Sequence, residues 1–500
     1  MTETATARSI VAGGDIDWQP PAPGAFGSSF RLGEWITGPV TPLFEDWALT
    51  RLEAGMHGWH YRTLGQPAPL PHHVVINGWY FYSLAWLPVS ARALLRWAPR
   101  LIPRIVTQPR RVAPVIPPTV HLGIHLLERE WREELLPRFM ATTDRATFDV
   151  ESATLAELPA LIDAQLDAAG EYFGSVTAVG GAAYKYEYQL NRFYQRHLEP
   201  AIGGSYLDLL VGLADLQPLP AHAVETLDWA YPTVGEREPM APSRAPDTTG
   251  LRGLREEREA AARAAVGDSK RKVKRFADLL EGAQHYNLVR EEQMREFTRA
   301  WPAMRKALAR LGGRLVELGV LRDASDVYFL RRAELIDALA TRPTAASMAT
   351  VEDRRAEVRA AARLVPPAYA GELPWLFRRL LAMTVTKRGA SEAAGVEISG
   401  IAVSPGVATA RARVVRGSEG FECLLPGEIL VAPMTTPAWT PLFASAAAVV
   451  TDGGNAFSHA SVIAREYGIP AVVGCGDATR RLPDGQVVTV DGSRGTVTVP

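Results

Sequence analysis

The densest chemistry in this chain is the run Thr451-Asp452-Gly453-Gly454-Asn455-Ala456-Phe457-Ser458-His459. Ahead of it, Leu442 to Val450 is apolar and mostly small, and its last residues read as a short buried strand entering the Gly-Gly turn. Two glycines let the backbone approach a ligand closely. Behind it, Ala460 to Tyr467 predicts a short helix, capped by Ser458 and ended by Gly468, with Pro470 barring continuation. His459 therefore falls at a helix N-terminus, where unpaired N–H groups and a partial positive charge favour an anion. A neutral imidazole is a nucleophile near pH 7, so the arrangement suits a phosphoryl group attached to the ring. A lone His after a Ser is more often a cap or a surface residue. The run that follows, through Ala471-Val472-Val473-Gly474, reverses that balance.

Taken whole from Thr451 to Gly474, the segment resembles the phosphohistidine motif of the swivelling domain in phosphoenolpyruvate-utilising enzymes, the group that includes phosphoenolpyruvate synthase, pyruvate phosphate dikinase, rifampin phosphotransferase and phenylphosphate synthase. The resemblance implies that His459 is a phosphocarrier and that Thr451, Gly453, Gly454, Ser458 and Arg465 belong to its loop and helix. One departure stands out: Phe457 occupies the position where dikinases and synthases carry a regulatory threonine, so control by that route is not expected. Gly400 to Ala408 resembles the opening of the same domain, and Gly427 to Trp439 its second strand and following loop. Earlier in the chain, Phe30 to Leu43 and Asp326-Val327-Tyr328-Phe329-Leu330 are similar to elements that precede the histidine domain in such proteins.

No Gly-rich nucleotide loop with a following Lys is present, of the Walker or the grasp type. By resemblance, ATP and Mg2+ are expected on a separate ATP-grasp subunit, with no cofactor bound by this chain alone. The split aryl-phosphate synthases imply a chain that carries phosphate from that partner to the hydroxyl of a small apolar compound, a phenol in the first instance, with ATP ending as AMP and phosphate. A phosphohistidine relay without a small-molecule acceptor, or a ligase subunit, are the alternatives.

An acceptor hydroxyl needs a base and a nearby cation. His285 and Arg290, on one predicted helix, offer that pair, with His72-His73 and His57-Gly58-Trp59-His60 as rivals. Trp79, Tyr80 and Tyr82, and Tyr186 in a second aromatic cluster, are candidate pocket walls. His121 and His125 have a two-His metal spacing but lack the Glu of the zinc protease pattern, so no metal site is expected. Arg92, Arg96, Arg100, Arg104, Arg110 and Arg111 form a basic stretch within 88–118 that prolines interrupt; partner docking is its functional option and an ordinary surface the plainer one.

The elements that must position these residues divide in two. Residues 1–385 read as a mainly α-helical acceptor-substrate domain, with helices expected over Leu251 to Ala265, Asp268 to Gly282 and Leu288 to Leu321. Residues 386–396 are small and polar, as a hinge linker should be, and 397–500 form a compact β/β/α swivelling domain, giving an α+β multidomain fold. A net charge of −1 gives no electrostatic case for nucleic acid, and two cysteines argue against a disulfide framework. The N-terminus lacks a signal-peptide pattern and no apolar run reaches spanning length, so a cytoplasmic location is expected.

Overall fold

A computed structural model describes residues 16–28, 31–66, 71–84, 99, 102–103, 106–112, 117–213, 218–237, 248–340, 346–372, 397–456 and 458–499. The expected hinge at 386–396 lies outside these residues, as do Phe457, Arg92, Arg96, Arg100 and Arg104.

Most of the described residues up to 372 are helical. Their long elements include α1 (Thr50–Leu64), α2 (Leu158–Ser175), α3 (Gly181–His197), α4 (Thr248–Ala265), α5 (Lys270–Phe297) and α6 (Trp301–Glu317). A single apolar core runs through them, with Trp47, Trp131, Trp229 and Trp301 almost wholly buried. α1 and α2 touch through glycines: a Cβ on Gly55 would stand 2.9 Å from the Gly170 backbone, and one on Gly170 would stand 2.6 Å from the Leu52 carbonyl oxygen. The predicted break after Gly282 is absent, because α5 continues through His285 to Phe297. The predicted continuity from Leu288 to Leu321 is broken instead before Trp301. Pro302 explains this: proline lacks the N–H a helix interior needs and is accommodated in the first turn, where α6 places it.

A small antiparallel sheet, which the sequence reading does not foresee, sits beside these helices. It comprises β1 (Ala25–Gly27), β2 (His73–Ile76), β3 (Trp79–Ser83) and β4 (Tyr369–Gly371), in the order β2-β3-β1-β4. Asn77 and Gly78 turn the β2–β3 hairpin with φ of 52° and 81°, the two positive values that a tight two-residue turn requires.

The C-terminal domain is built on an eight-stranded sheet of β5 (Glu397–Ser399), β6 (Ile401–Ser404), β7 (Val407–Val414), β8 (Ile429–Ala432), β9 (Ala448–Thr451), β10 (Ala471–Val473), β11 (Val487–Asp491) and β12 (Thr496–Thr498). Their order is β5-β12-β11-β7-β8-β9-β10-β6, with β7 to β10 running parallel. Alternate residues feed two cores: Leu430, Ala432 and Val449 face one, while Ile429, Val431, Ala448 and Val450 face the other. Burial on both sides is why these strands read as continuous apolar runs. Helix α7 (His459–Tyr467) covers the first core with Ala460, Ile463 and Ala464.

Candidate functional site

The loops that leave the C-terminal ends of β8 and β9 build the site, the edge where parallel sheets ordinarily hold their ligands. Asp452 N donates to Ala432 O at 3.0 Å and Gly453 N to Pro433 O at 2.8 Å, so the Gly-Gly turn is stitched to the β8 loop. Thr451 closes the turn from within, its hydroxyl donating to Gly453 O at 2.6 Å. Gly454 has φ of 108°, and a Cβ there would meet Ser458 Oγ at 2.9 Å. Ser458 holds the N-cap position, but its hydroxyl does not cap the helix as expected: it donates to Asn455 O at 2.9 Å and lies 3.1 Å from Ser461 Oγ. Gly468 ends α7 in the left-handed conformation, φ 63°.

His459 lies in the first turn of α7. Thr435 Oγ1 is 3.1 Å from its Nδ1 and Thr440 Oγ1 is 3.2 Å from its Nε2. Thr440 has one hydrogen and donates it to Pro437 O at 2.8 Å, which makes Nε2–H the donor to Thr440 and leaves Nδ1 to accept from Thr435. Phe443 meets the ring edge-on at 5.8 Å. Burial, then the charge of Arg290, lower its pKa to about 3, so the imidazole is neutral at physiological pH.

Across from His459 stands the helical body. A cleft of about 30 Å³ lies between the two domains, walled on the helical side by Glu34, Trp35, Arg290, Glu291 and Met294 and on the carrier side by the Met434–Pro437 loop with Gly454, Asn455, Ser458 and His459. Arg290 is buried on α5; its Nη2 is 3.8 Å from Glu34 Oε2, and its Nη1 has no hydrogen-bond partner among the described residues. Glu291 has a raised pKa, from burial and against the pull of Arg290 and Arg465. The site therefore holds a neutral nucleophile, a guanidinium with an unused N–H and two carboxylates.

Of the acceptor-side candidates, only Arg290 comes to this cleft. His285 is half-exposed, its Nε2 2.9 Å from Glu128 Oε2. At about 100° per residue, five residues separate it from Arg290 by about 140° around the helix, so the two do not share a face. Trp79, Tyr80 and Tyr82 belong to β3 and are engaged there: Trp79 Nε1 donates to Ala361 O at 3.0 Å, Tyr80 Oη to Glu53 Oε1 at 2.6 Å, and Tyr82 stacks on His57 at 6.0 Å. Tyr186 stacks on Tyr286 at 5.5 Å against Gly282. These aromatic clusters pack the interior because strand alternation and helix crossing bury them. The rival histidines join the β3 aromatics in one cluster: His73 Nδ1 lies 2.7 Å from the buried Glu53, and His57 lies 4.5 Å from His72 between ring centres. His121 and His125 are exposed. Arg111 pairs with Glu130 at 2.9 Å. Arg465 is almost fully buried beneath α7.

Sequence reasoning missed Glu34, Glu291, Thr435 and Thr440 as site residues. Glu34 and Thr435 lie inside runs already singled out by resemblance, Phe30 to Leu43 and Gly427 to Trp439, and that co-occurrence was the available signal.

The architecture is that of an α+β protein in which a separate β/α domain presents one histidine to a helical body. Residues 424–495 match the family described as PEP-utilising enzyme, mobile domain. It is 41% identical over 206 residues to an uncharacterised phosphotransferase, YvkC, of Bacillus subtilis, covering 38% of this chain and 23% of that protein. It is 34% identical over 238 residues to the rifampicin phosphotransferase of Streptomyces sviceus, covering 47% and 26% respectively. Against the phosphoenolpyruvate synthase of Aeropyrum pernix it is 50% identical over 103 residues, covering 20% and 13%. The matched stretches thus span about a quarter or less of these relatives. Among the described residues, no helix is long and apolar enough to cross a membrane.

Proposed function

We propose that this chain is the acceptor-binding and phosphohistidine-carrying part of an ATP-dependent phosphotransferase that acts on the hydroxyl of a small apolar compound, with a phenol the leading candidate. The observation that carries the reading is the neutral His459 at the start of α7, facing the buried Arg290 across the interdomain cleft. In the first half-reaction an imidazole nitrogen attacks a phosphoryl phosphorus, forming P–N as the donor's P–O bond breaks. ATP and Mg2+ for this step are held by a separate ATP-grasp subunit; the ring takes the β-phosphoryl group as AMP leaves, and water cleaves the bond to the γ-phosphate, which is released as inorganic phosphate. In the second, the acceptor oxygen attacks, the P–N bond breaks, and the hydroxyl proton passes to a carboxylate of the cleft, Glu34 or Glu291. Arg290 supplies positive charge where the transferred group sits, and positioning with electrostatics supplies most of the catalysis in such transfers.

The test is chemical. Incubated with ATP and an ATP-grasp partner, the chain should acquire acid-labile phosphate that a phenol discharges as aryl phosphate, and His459→Ala should acquire none. Phosphate retained in the variant refutes the carrier role. Full turnover of ATP and phenol by the chain alone refutes the separate donor subunit. The small cleft favours one further reading, a relay that hands phosphate to another protein; labelled chain that ignores every small hydroxyl compound yet phosphorylates a protein partner would select it.

A further inference from the structure

The cleft exists only while the carrier domain is docked, and one buried contact closes a circuit around it. Arg465 lies six residues beyond His459, about 9 Å along α7. Its Nη1 is 3.6 Å from Glu187 Oε2 on α3, with side-chain exposures of 2% and 0%. Glu187 Oε1 in turn accepts from Asn287 Nδ2 at 2.7 Å. Asn287 stands on α5 three residues before Arg290, on a neighbouring turn of the same face. The path therefore runs from the His459 helix through Arg465, Glu187 and Asn287 to Arg290, which faces His459 again. Both Arg465 Nη1 and Glu187 Oε2 are buried with no hydrogen-bond partner among the described residues, and each faces the other's charge, with Arg290 acting on Glu187 as well.

Several other interdomain bonds among the described residues are of another kind. Thr436 Oγ1 contacts Val224 O and Glu225 O, both at 3.0 Å, Leu213 N donates to Glu466 Oε1 at 3.2 Å, and Ser418 N donates to Glu225 Oε1 at 2.9 Å. Each of these has a backbone atom on one side. Arg465–Glu187 pairs opposite side-chain charges across the boundary, both deeply buried, and a charge left alone there is costly.

We infer that Arg465 and Glu187 are positioning residues: a charge pair that sets the docked register of the carrier domain and thereby aims His459 at Arg290. This rests on the reading of His459 as a carrier only for its purpose, not for its test. A domain that leaves and returns must find one register among several, and two complementary buried charges make every other register expensive.

Hydrogen exchange on the full chain reads the docking without any phosphoryl chemistry. Glu187→Gln keeps shape and the Asn287 acceptor while removing the charge. It should raise exchange at least tenfold in 459–467, with the β8 and β9 amides unchanged. Unchanged protection of 459–467 overturns the proposal. Should Glu187→Gln loosen the whole helical body, Arg465→Gln decides, since its side chain belongs to the other domain: increased exchange in 181–197 supports the pair, and wild-type protection there refutes it. If His459 is never phosphorylated, the functional reading fails while the exchange result stands.

Discussion

His459 should stay uncharged well below the range in which an ordinary imidazole titrates. An ordinary imidazole has a pKa of 6.5; burial and then the Arg290 charge lower this one to about 3. The difference of about 3.5 units, at about 1.36 kcal/mol each, amounts to about 5 kcal/mol against the imidazolium, an upper figure because the ring keeps some surface in the cleft. At pH 6.5 about one docked molecule in 3,000 would carry the cation, against half for a free histidine. The folded pKa lies below the unfolded one, so the unfolded or undocked chain binds more protons between these values; the stability is fully present above about pH 6.5 and is lost as pH falls towards 3. The assay is a ring-nitrogen NMR titration of histidine-labelled protein, with the His459 signal assigned by His459→Gln. No inflection should occur above about pH 4.5. Arg290→Gln should raise the midpoint only modestly, because burial is the larger cause, whereas loss of docking should return it most of the way to 6.5. A midpoint within about half a unit of the ordinary value in the docked wild type would refute the argument.

Two further outcomes are expected. Arg290→Gln should slow transfer to the acceptor by about 100-fold or more, as removal of a buried donor at a reacting centre does, while His285→Ala should stay within about twofold; steady-state rates of both variants check this. Gly55→Ala would ordinarily stabilise a helix interior by about 0.5–1 kcal/mol, but here the added Cβ meets the Gly170 backbone at 2.9 Å, so overpacking of about 1–3 kcal/mol wins and denaturant melting should show a net loss.

Legibility followed the range of the interactions. The turn, helix and end of the His459 segment were readable because a strand, two glycines, an N-cap position and a C-cap glycine are local events, and the structure places α7 at His459–Tyr467. The hydroxyl of Ser458 was not, since its choice of Asn455 over the helix amides depends on a turn made by the loop itself. Asn77-Gly78 between β2 and β3 is a strong local hairpin signal, while the aromatic residues beside it suit a pocket wall and a strand face equally. Arg290 and His285 look alike in sequence, and only helix phase distinguishes the one that meets His459. Glu34 lies in a run marked by resemblance, but its meeting with Arg290 was not legible, because about 250 residues separate it from the guanidinium it faces.

The pairing of β4 with β1 has a mechanical consequence. Ser28 N binds Ala368 O at 3.1 Å, and Ala25 to Gly27 zip against Gly371 to Tyr369, so the point from which the chain departs towards the carrier domain is clamped to a strand more than three hundred residues upstream. Pulling on that departure point loads a β ladder first and the helix crossings only afterwards. Such a clasp also forms late, because its ends meet only after the intervening helices have collapsed. Load entering the helical body at Gly371 would therefore be taken up by that ladder before it reached the helices that line the cleft.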